Sequence, residues 1–270
     1  MERILDAAVA AAEAGGDVLR ERRGQLGNVR VKSSSFDLVT EVDIASGVAV
    51  VRAIAERLEG ARFVVEEPEV YALAGVTAGD LRDDEVWVID PLDGTTSYVH
   101  GYPCYSVSVA LLKGGEPAVG AVHNAAARET SWAAVGGGAW RDDVRLACSD
   151  AVEFRDSLMI TGFPYDRTTT LDKQLSVFTE LIRSVHDVRR DGSAAIDCCH
   201  VAAGSADAFW EFGLMPWDTA AGVVILREAG AIITDLHGEP WSIDTRDVCA
   251  ANPTLHASLL GTIRTILDAR

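Results

Sequence analysis

The chain has 270 residues, 48% of them hydrophobic and 24% charged, a mixture that supports a full core and excludes a disordered or low-complexity polymer. Its 41 acidic residues against 24 basic ones give a net charge of −17, which opposes contact with nucleic acid or other polyanions unless cations intervene. The five cysteines lack zinc-type spacing and the six histidines form no ligand motif, so a soft-metal site is not expected and the thiols read as reduced packing residues.

In chain order, residues 2–23 show helical periodicity, acidic residues and no cleavage-site pattern, which reads as an amphipathic helix and not an export signal. No apolar run approaches the roughly 20 residues a bilayer requires, so a cytoplasmic protein with no membrane partner is expected. An extended run at 28–32 precedes the stretch DLVTEVDIAS, where Asp37 and Asp43 flank a short extended segment before a helix expected from about 41 to 58; ordinary helix-start chemistry would explain both. A β run at 62–66 ends on the pair Glu66 and Glu67, and Pro68 stops it. A second run, at 86–90, ends on Asp90, and if the two strands are neighbours their terminal carboxylates meet.

The segment DPLDGTT then poses the main question. Asp, Pro and Gly are common turn residues, and a simple reversal of the chain is the plainest explanation. A four-residue turn would also bring Asp90, the Leu92 carbonyl and Asp93 toward one point, and three hard oxygens suit Mg²⁺. Gly94 can adopt positive φ, after which the N–H groups of Thr95 and Thr96 would open a helical turn whose free donors attract phosphate.

From Cys104 to Ala134 the pattern is an antiparallel meander with KGGEP as a hairpin turn. The chain reads as one domain over 1–270, with a subdomain boundary conceivable near 142–150. Beyond it, β runs at 157–161, 186–190, 206–212 and 231–236 alternate with helices expected at about 171–184, 193–203, 217–229 and 254–268. Gly192, Ser193 and Ala194 start one of these helices and would present backbone donors to a polar ligand. Glu211 ends a strand seven residues before Asp218. Asp218 itself follows Pro216 at a helix start, where a cap and a metal ligand are equally good explanations, and Ala220, Ala221 and Gly222 then allow another backbone to approach. The order of elements suggests a layered α+β sandwich.

Together, WVIDPLDGTTSYVHGYP, DLVTEVDIAS, the Glu66–Glu67 pair and PWDTAAG followed by REAGAIITDLHGEPW resemble the inositol monophosphatase family, within the Mg²⁺-dependent and often lithium-sensitive phosphatases; the likeness runs from about residue 4 to 265. It implies an αβαβα sandwich of the sugar phosphatase type, commonly a homodimer, acting on a small phosphorylated polyol or sugar. Inositol 1-phosphate is the first expectation, with fructose 1,6-bisphosphate or histidinol phosphate as alternatives. The resemblance further implies that Glu66, Asp90, the Leu92 carbonyl, Asp93 and Asp218 hold Mg²⁺, and that Asp43 supports a further, weaker site, two or three ions in all. Glu66 and Thr95 would orient and deprotonate the attacking water, backbone N–H groups of Gly94, Thr95 and Thr96 would contact phosphate, and Glu211 would accept hydrogen bonds from substrate hydroxyls. Some bacterial relatives act in transcription complexes, which implies a regulatory protein-binding role as the rival of another class.

The chain departs from the usual pattern at several points. Val65 and Pro68 bracket the Glu pair, Gly47 stands for a common Glu, Ser97 for a common Asn, and Asp191 would repel a second phosphate beside the substrate seat. The segment 68–85 is longer than usual and is expected to act as a mobile flap.

Overall fold

The computed structural model describes residues 1–25, 29–31, 38–164 and 170–269; Asp37 and the two ends of the expected run at 28–32 fall outside them. The chain begins with α1 (Glu2–Glu21), the hairpin strands β1 (Val29–Val31) and β2 (Leu38–Thr40), and α2 (Glu41–Ala55). Next come β3 (Phe63–Val65), α3 (Glu69–Ala74), β4 (Glu85–Asp93) and the short α4 (Thr95–His100). The meander follows as β5 (Ser106–Lys113), β6 (Glu116–Asn124), β7 (Glu129–Ala134), β8 (Ala139–Arg141) and β9 (Val144–Arg145). The last part comprises β10 (Leu158–Thr161), α5 (Leu171–Leu181), β11 (Asp187–Arg189), α6 (Ala194–Ala202), β12 (Ala208–Glu211), α7 (Pro216–Glu228), β13 (Ile232–Asp235), β14 (Val248–Ala251) and α8 (Pro253–Asp268). Among the described residues no helix is long and apolar enough to cross a membrane.

Seven strands form one sheet in the order β3-β4-β5-β6-β7-β8-β9, and five form another in the order β11-β10-β12-β14-β13. Alternation along the strands feeds three apolar cores. On β4, Trp87 and Ile89 face the core under α1 and α2, while Val86 and Val88 face the opposite side, where α6 and α7 lie between the sheets. On β12, Phe209 joins that middle core, whereas Ala208 and Trp210 join the third core with α8. The result is a layered αβαβα sandwich, and the first sheet ends before residue 150 while the second begins after it.

Small residues set the spacing of the middle layers. A Cβ on Gly120 of β6 would lie 2.5 Å from the Ala221 carbonyl oxygen and 2.9 Å from its Cα, and backbone cannot move aside as a side chain can. Replacing Gly120 by Val is therefore expected to cost about 2–3 kcal/mol by overpacking, read as a fall in the urea midpoint. Gly261 of α8, with nothing within 4 Å of its Cβ position, makes the contrast: Gly261→Ala should be neutral or stabilise by about 0.5–1 kcal/mol.

The expected flap is tied down instead. Val70 of α3 is fully buried, and its Cγ2 fills the space beside Gly47 where a side chain would collide. Gly79 N–H donates to the Phe63 carbonyl (2.7 Å), and Ala78 bridges Phe63 alongside β3. Apolar burial and pairing with β3 thus turn the longer insertion into an annex of the first sheet.

Candidate active site

The parallel strands β3 and β4 place Val65 opposite Ile89, and the pairing runs one step further, with Glu66 N–H donating to the Ile89 carbonyl (3.1 Å). Glu66 and Asp90 are consequently neighbours at the strand tips. Segment 90–93 is not a reversal. Asp90 pairs with Ser108 and Asp93 with Ser106, so one extra residue bulges out of β4 at Pro91 and Leu92. Proline has no N–H for the ladder, and Leu92 N–H turns back to Asp90 Oδ1 (2.9 Å), which together explain the bulge. The chain leaves the sheet only at Gly94, whose φ of 90° caps α4. A Cβ there would lie 2.9 Å from the Cys104 carbonyl oxygen and 3.0 Å from that of Gly192, so both the conformation and the packing demand glycine.

Asp218 is the third residue of α7 and accepts from Met215 N–H at Oδ2 (2.7 Å), so it does cap the helix. Asp93 Oδ2 accepts from Ser193 Oγ (2.6 Å) and from Ala195 N–H (2.8 Å) at the start of α6. The Ser193 hydroxyl is thus committed to Asp93, while Gly192 and Ala194, expected with Ser193 to present backbone donors, line the cavity. Asp90, Asp93 and Asp218 each give one oxygen to a protein donor in these bonds, and the second oxygen of each stands outside them.

Glu66, Asp90, Asp93 and Asp218 all line one cavity of about 570 Å³, which Leu92, Gly94, Thr95 and Glu211 also line; Thr96 is exposed and outside the lining. Burial pushes Asp90 well above the usual carboxylate range, and the charges of Glu66, Asp93 and Asp218 push further. Asp93 is pushed up to about 6 by burial, against the bonds from Ser193 and Ala195. Burial likewise raises Asp218, with Asp93 and Glu66 adding to it. Carboxylates that oppose one another's ionisation in a buried cavity offer the hard oxygens a divalent cation takes. Among the described residues no three His, Cys, Asp or Glu side chains are grouped closely enough to hold a metal ion as they stand, so the carboxylates share the cavity without yet converging on one point.

Thr95 and Asp43 are linked across the site. Thr95 Oγ1 lies 3.0 Å from both Asp43 Oδ1 and the Leu92 carbonyl, so its single proton is directed away from the cavity. Asp43 Oδ2 accepts from Thr40 N–H (2.8 Å) and Thr40 Oγ1 (2.5 Å) in the capping box of α2. Asp43 therefore ties the start of α2 to Thr95, with Oδ1 accepting, among the described residues, from Thr95 alone.

Glu211 ends β12 at the cavity wall, pushed up to about 8 by burial and the charge of Asp93, with Arg190 opposing. Arg190 itself lines the cavity, and Asp191 does not. Arg190 is not among the residues expected from the sequence; its place at the end of the β run 186–190, a position like those of Glu66 and Glu211, was the usable signal.

The inositol monophosphatase family model matches residues 1–268. A protein of Aquifex aeolicus named fructose-1,6-bisphosphatase/inositol-1-monophosphatase is 35% identical over 96% of this chain and 95% of its own length. The Nus factor SuhB of Pasteurella multocida is 36% identical over 99% of this chain and 98% of its own. The solved structure of inositol monophosphatase from Anabaena (Nostoc) sp. PCC 7120 superposes with a TM-score of 0.85 at 36% identity, covering 98% of this chain and 96% of that one.

Proposed function

Because this chain belongs to the inositol monophosphatase family, we propose that it is a Mg²⁺-dependent phosphate monoester hydrolase whose substrate is inositol 1-phosphate. The observation that carries the proposal is the meeting of Glu66, Asp90, Asp93 and Asp218, from three distant stretches of sequence, on one cavity beside the Gly94–Thr95 turn. When bound, Mg²⁺ supplies the Lewis acidity that makes water a nucleophile at neutral pH and offsets the charge of the ester. Glu66, Asp90, Asp93, Asp218 and the Leu92 carbonyl would hold it, with waters completing the shell.

Glu66 and Thr95 Oγ1 hold the attacking water. Since the Thr95 proton points to Asp43 or Leu92, its lone pairs are free to accept from that water, and a proton taken up there passes on to Asp43 Oδ1. Burial raises the Asp43 carboxyl, which suits it to receive a proton. The water oxygen bonds to phosphorus as the phosphorus–oxygen ester bond breaks, and solvent returns a proton to the departing alkoxide. Gly94 and Thr95 backbone donors face the phosphate, and Glu211 takes the polyol hydroxyls. Thr95→Val, which keeps the shape and removes the hydroxyl, should lower kcat by about 10²-fold with a much smaller change in KM. A kcat within twofold of wild type would remove Thr95 from the mechanism.

Arg190 at the cavity wall favours a second reading, fructose 1,6-bisphosphate, by offering a cation to a second phosphate. Phosphate release from inositol 1-phosphate, fructose 1,6-bisphosphate and histidinol phosphate, each with and without Mg²⁺, decides among them. The proposal expects the highest kcat/KM on the inositol ester and none without the ion. A homodimer and a protein partner of the kind the name Nus factor suggests for the Pasteurella relative are compatible with this activity; capture of a transcription protein together with no turnover on any ester would replace it.

A further inference from the structure

We propose that Gly162 is a positioning residue for Glu211 and so tunes the cavity toward hydroxyl-bearing esters, an inference that rests on Glu211 meeting substrate hydroxyls. Gly162 directly follows β10 and Glu211 ends β12; the strands run parallel with Thr161 opposite Trp210, so the two residues face each other at the strand ends. A Cβ on Gly162 would lie 2.0 Å from Glu211 Oε1 and 2.2 Å from both Cδ and Oε2. The carboxylate therefore rests directly on the glycine backbone, a shelf that no other residue type provides.

The backbone under the shelf is held firmly. Thr161 Oγ1 donates to the Trp210 carbonyl (2.6 Å), and Gln174 Nε2, from the buried face of α5, donates to Thr161 Oγ1 (2.7 Å) and to the Gly162 carbonyl (2.5 Å). Thr161 and Gln174 are fully buried. Among the described residues, burial and the charges of Asp93 and Arg190 shape the environment of the Glu211 carboxyl. A methyl group at position 162 meets only the far end of a flexible side chain, Glu211, and that carboxylate gives way. The displacement needed is about 1 Å or more to restore ordinary contact, enough to break a hydrogen bond to a substrate hydroxyl. Phe163 and Pro164, next along the chain, also line the cavity, so this short stretch forms the wall that faces the polyol.

The test compares wild type, Gly162→Ala, Glu211→Ala and the double variant on inositol 1-phosphate and on p-nitrophenyl phosphate, which has no hydroxyls, alongside a substrate-free crystal structure of Gly162→Ala. The expected result is a KM for the inositol ester raised about tenfold, the loss of one hydrogen bond, and an equal fall in the ratio of kcat/KM for the two esters. Gly162→Ala should add nothing in the Glu211→Ala background, and its crystal structure should show the Glu211 carboxylate moved off residue 162. An unchanged ratio, an equal loss in both backgrounds, or an unmoved carboxylate would each overturn the proposal. If the wild type releases phosphate from neither ester, the functional reading fails, while the crystal structure still decides whether Gly162 positions Glu211.

Discussion

Replacing Asp93 by Asn is expected to abolish Mg²⁺-dependent phosphate release, by about 10³-fold or more, and to leave the fold intact. Losing one anionic ligand removes several kcal/mol of stabilisation of the charged transition state, and each 1.36 kcal/mol is a factor of about ten. The fold should survive because the side-chain oxygen of Asn can still accept from Ser193 Oγ or Ala195 N–H, which dock the start of α6. Removal of a charge whose pKa burial has pushed up to about 6 should also raise the melting temperature of the metal-free protein. Near-normal turnover by this variant would take Asp93 out of the site; collapse of the fold would make its role structural.

Saturating Mg²⁺ should raise the melting temperature by about 5–10 °C near pH 8, an ion at about 100 times its dissociation constant contributing about 2.7 kcal/mol. The gain should shrink as pH falls, because protons compete for the same oxygens. The metal-free protein should show the opposite slope. Glu211, pushed up to about 8, and Asp93, pushed up to about 6, hold protons that the unfolded chain releases, since free carboxyls titrate near 4. Through that window the native state binds more protons, so stability rises as pH falls from above 8 toward about 5. His123 sets the lower limit. Buried against Arg20 and Thr130, it is held neutral down to about 4, whereas the unfolded chain takes up its proton near 6.5, so its effect is to lower stability between those values. Melting curves from pH 5 to pH 9, with EDTA and with Mg²⁺, check both slopes; coincident curves would mean that no ion binds the carboxylates.

Much of this was legible beforehand because the relevant signals are local. The apolar runs within 86–90 and 104–112 marked buried strands, and the strand-tip positions of Glu66 and Asp90 made their meeting conditional only on β3 and β4 pairing, which they do. Gly94 announced its positive φ through its place after two aspartates and before two threonines. What escaped was whatever depends on partners distant in sequence. The strand β14, VCAA, carries little β-branched character and exists because β12 and β13 pair with it on either side. The insertion 68–85 looked like a flap because nothing in it shows that Val70 finds a pocket beside Gly47. Gly162 gave no signal at all, since its role is defined by a carboxylate 49 positions further along the chain.

The most direct measurement is an anomalous difference map from crystals soaked in Mn²⁺ as a stand-in for Mg²⁺. The account predicts strong peaks inside the cavity, within about 2.0–2.3 Å of oxygens from Asp90, Asp93 and Asp218. A cavity without a peak at saturating Mn²⁺, or ions bound only at surface carboxylates elsewhere, would contradict it.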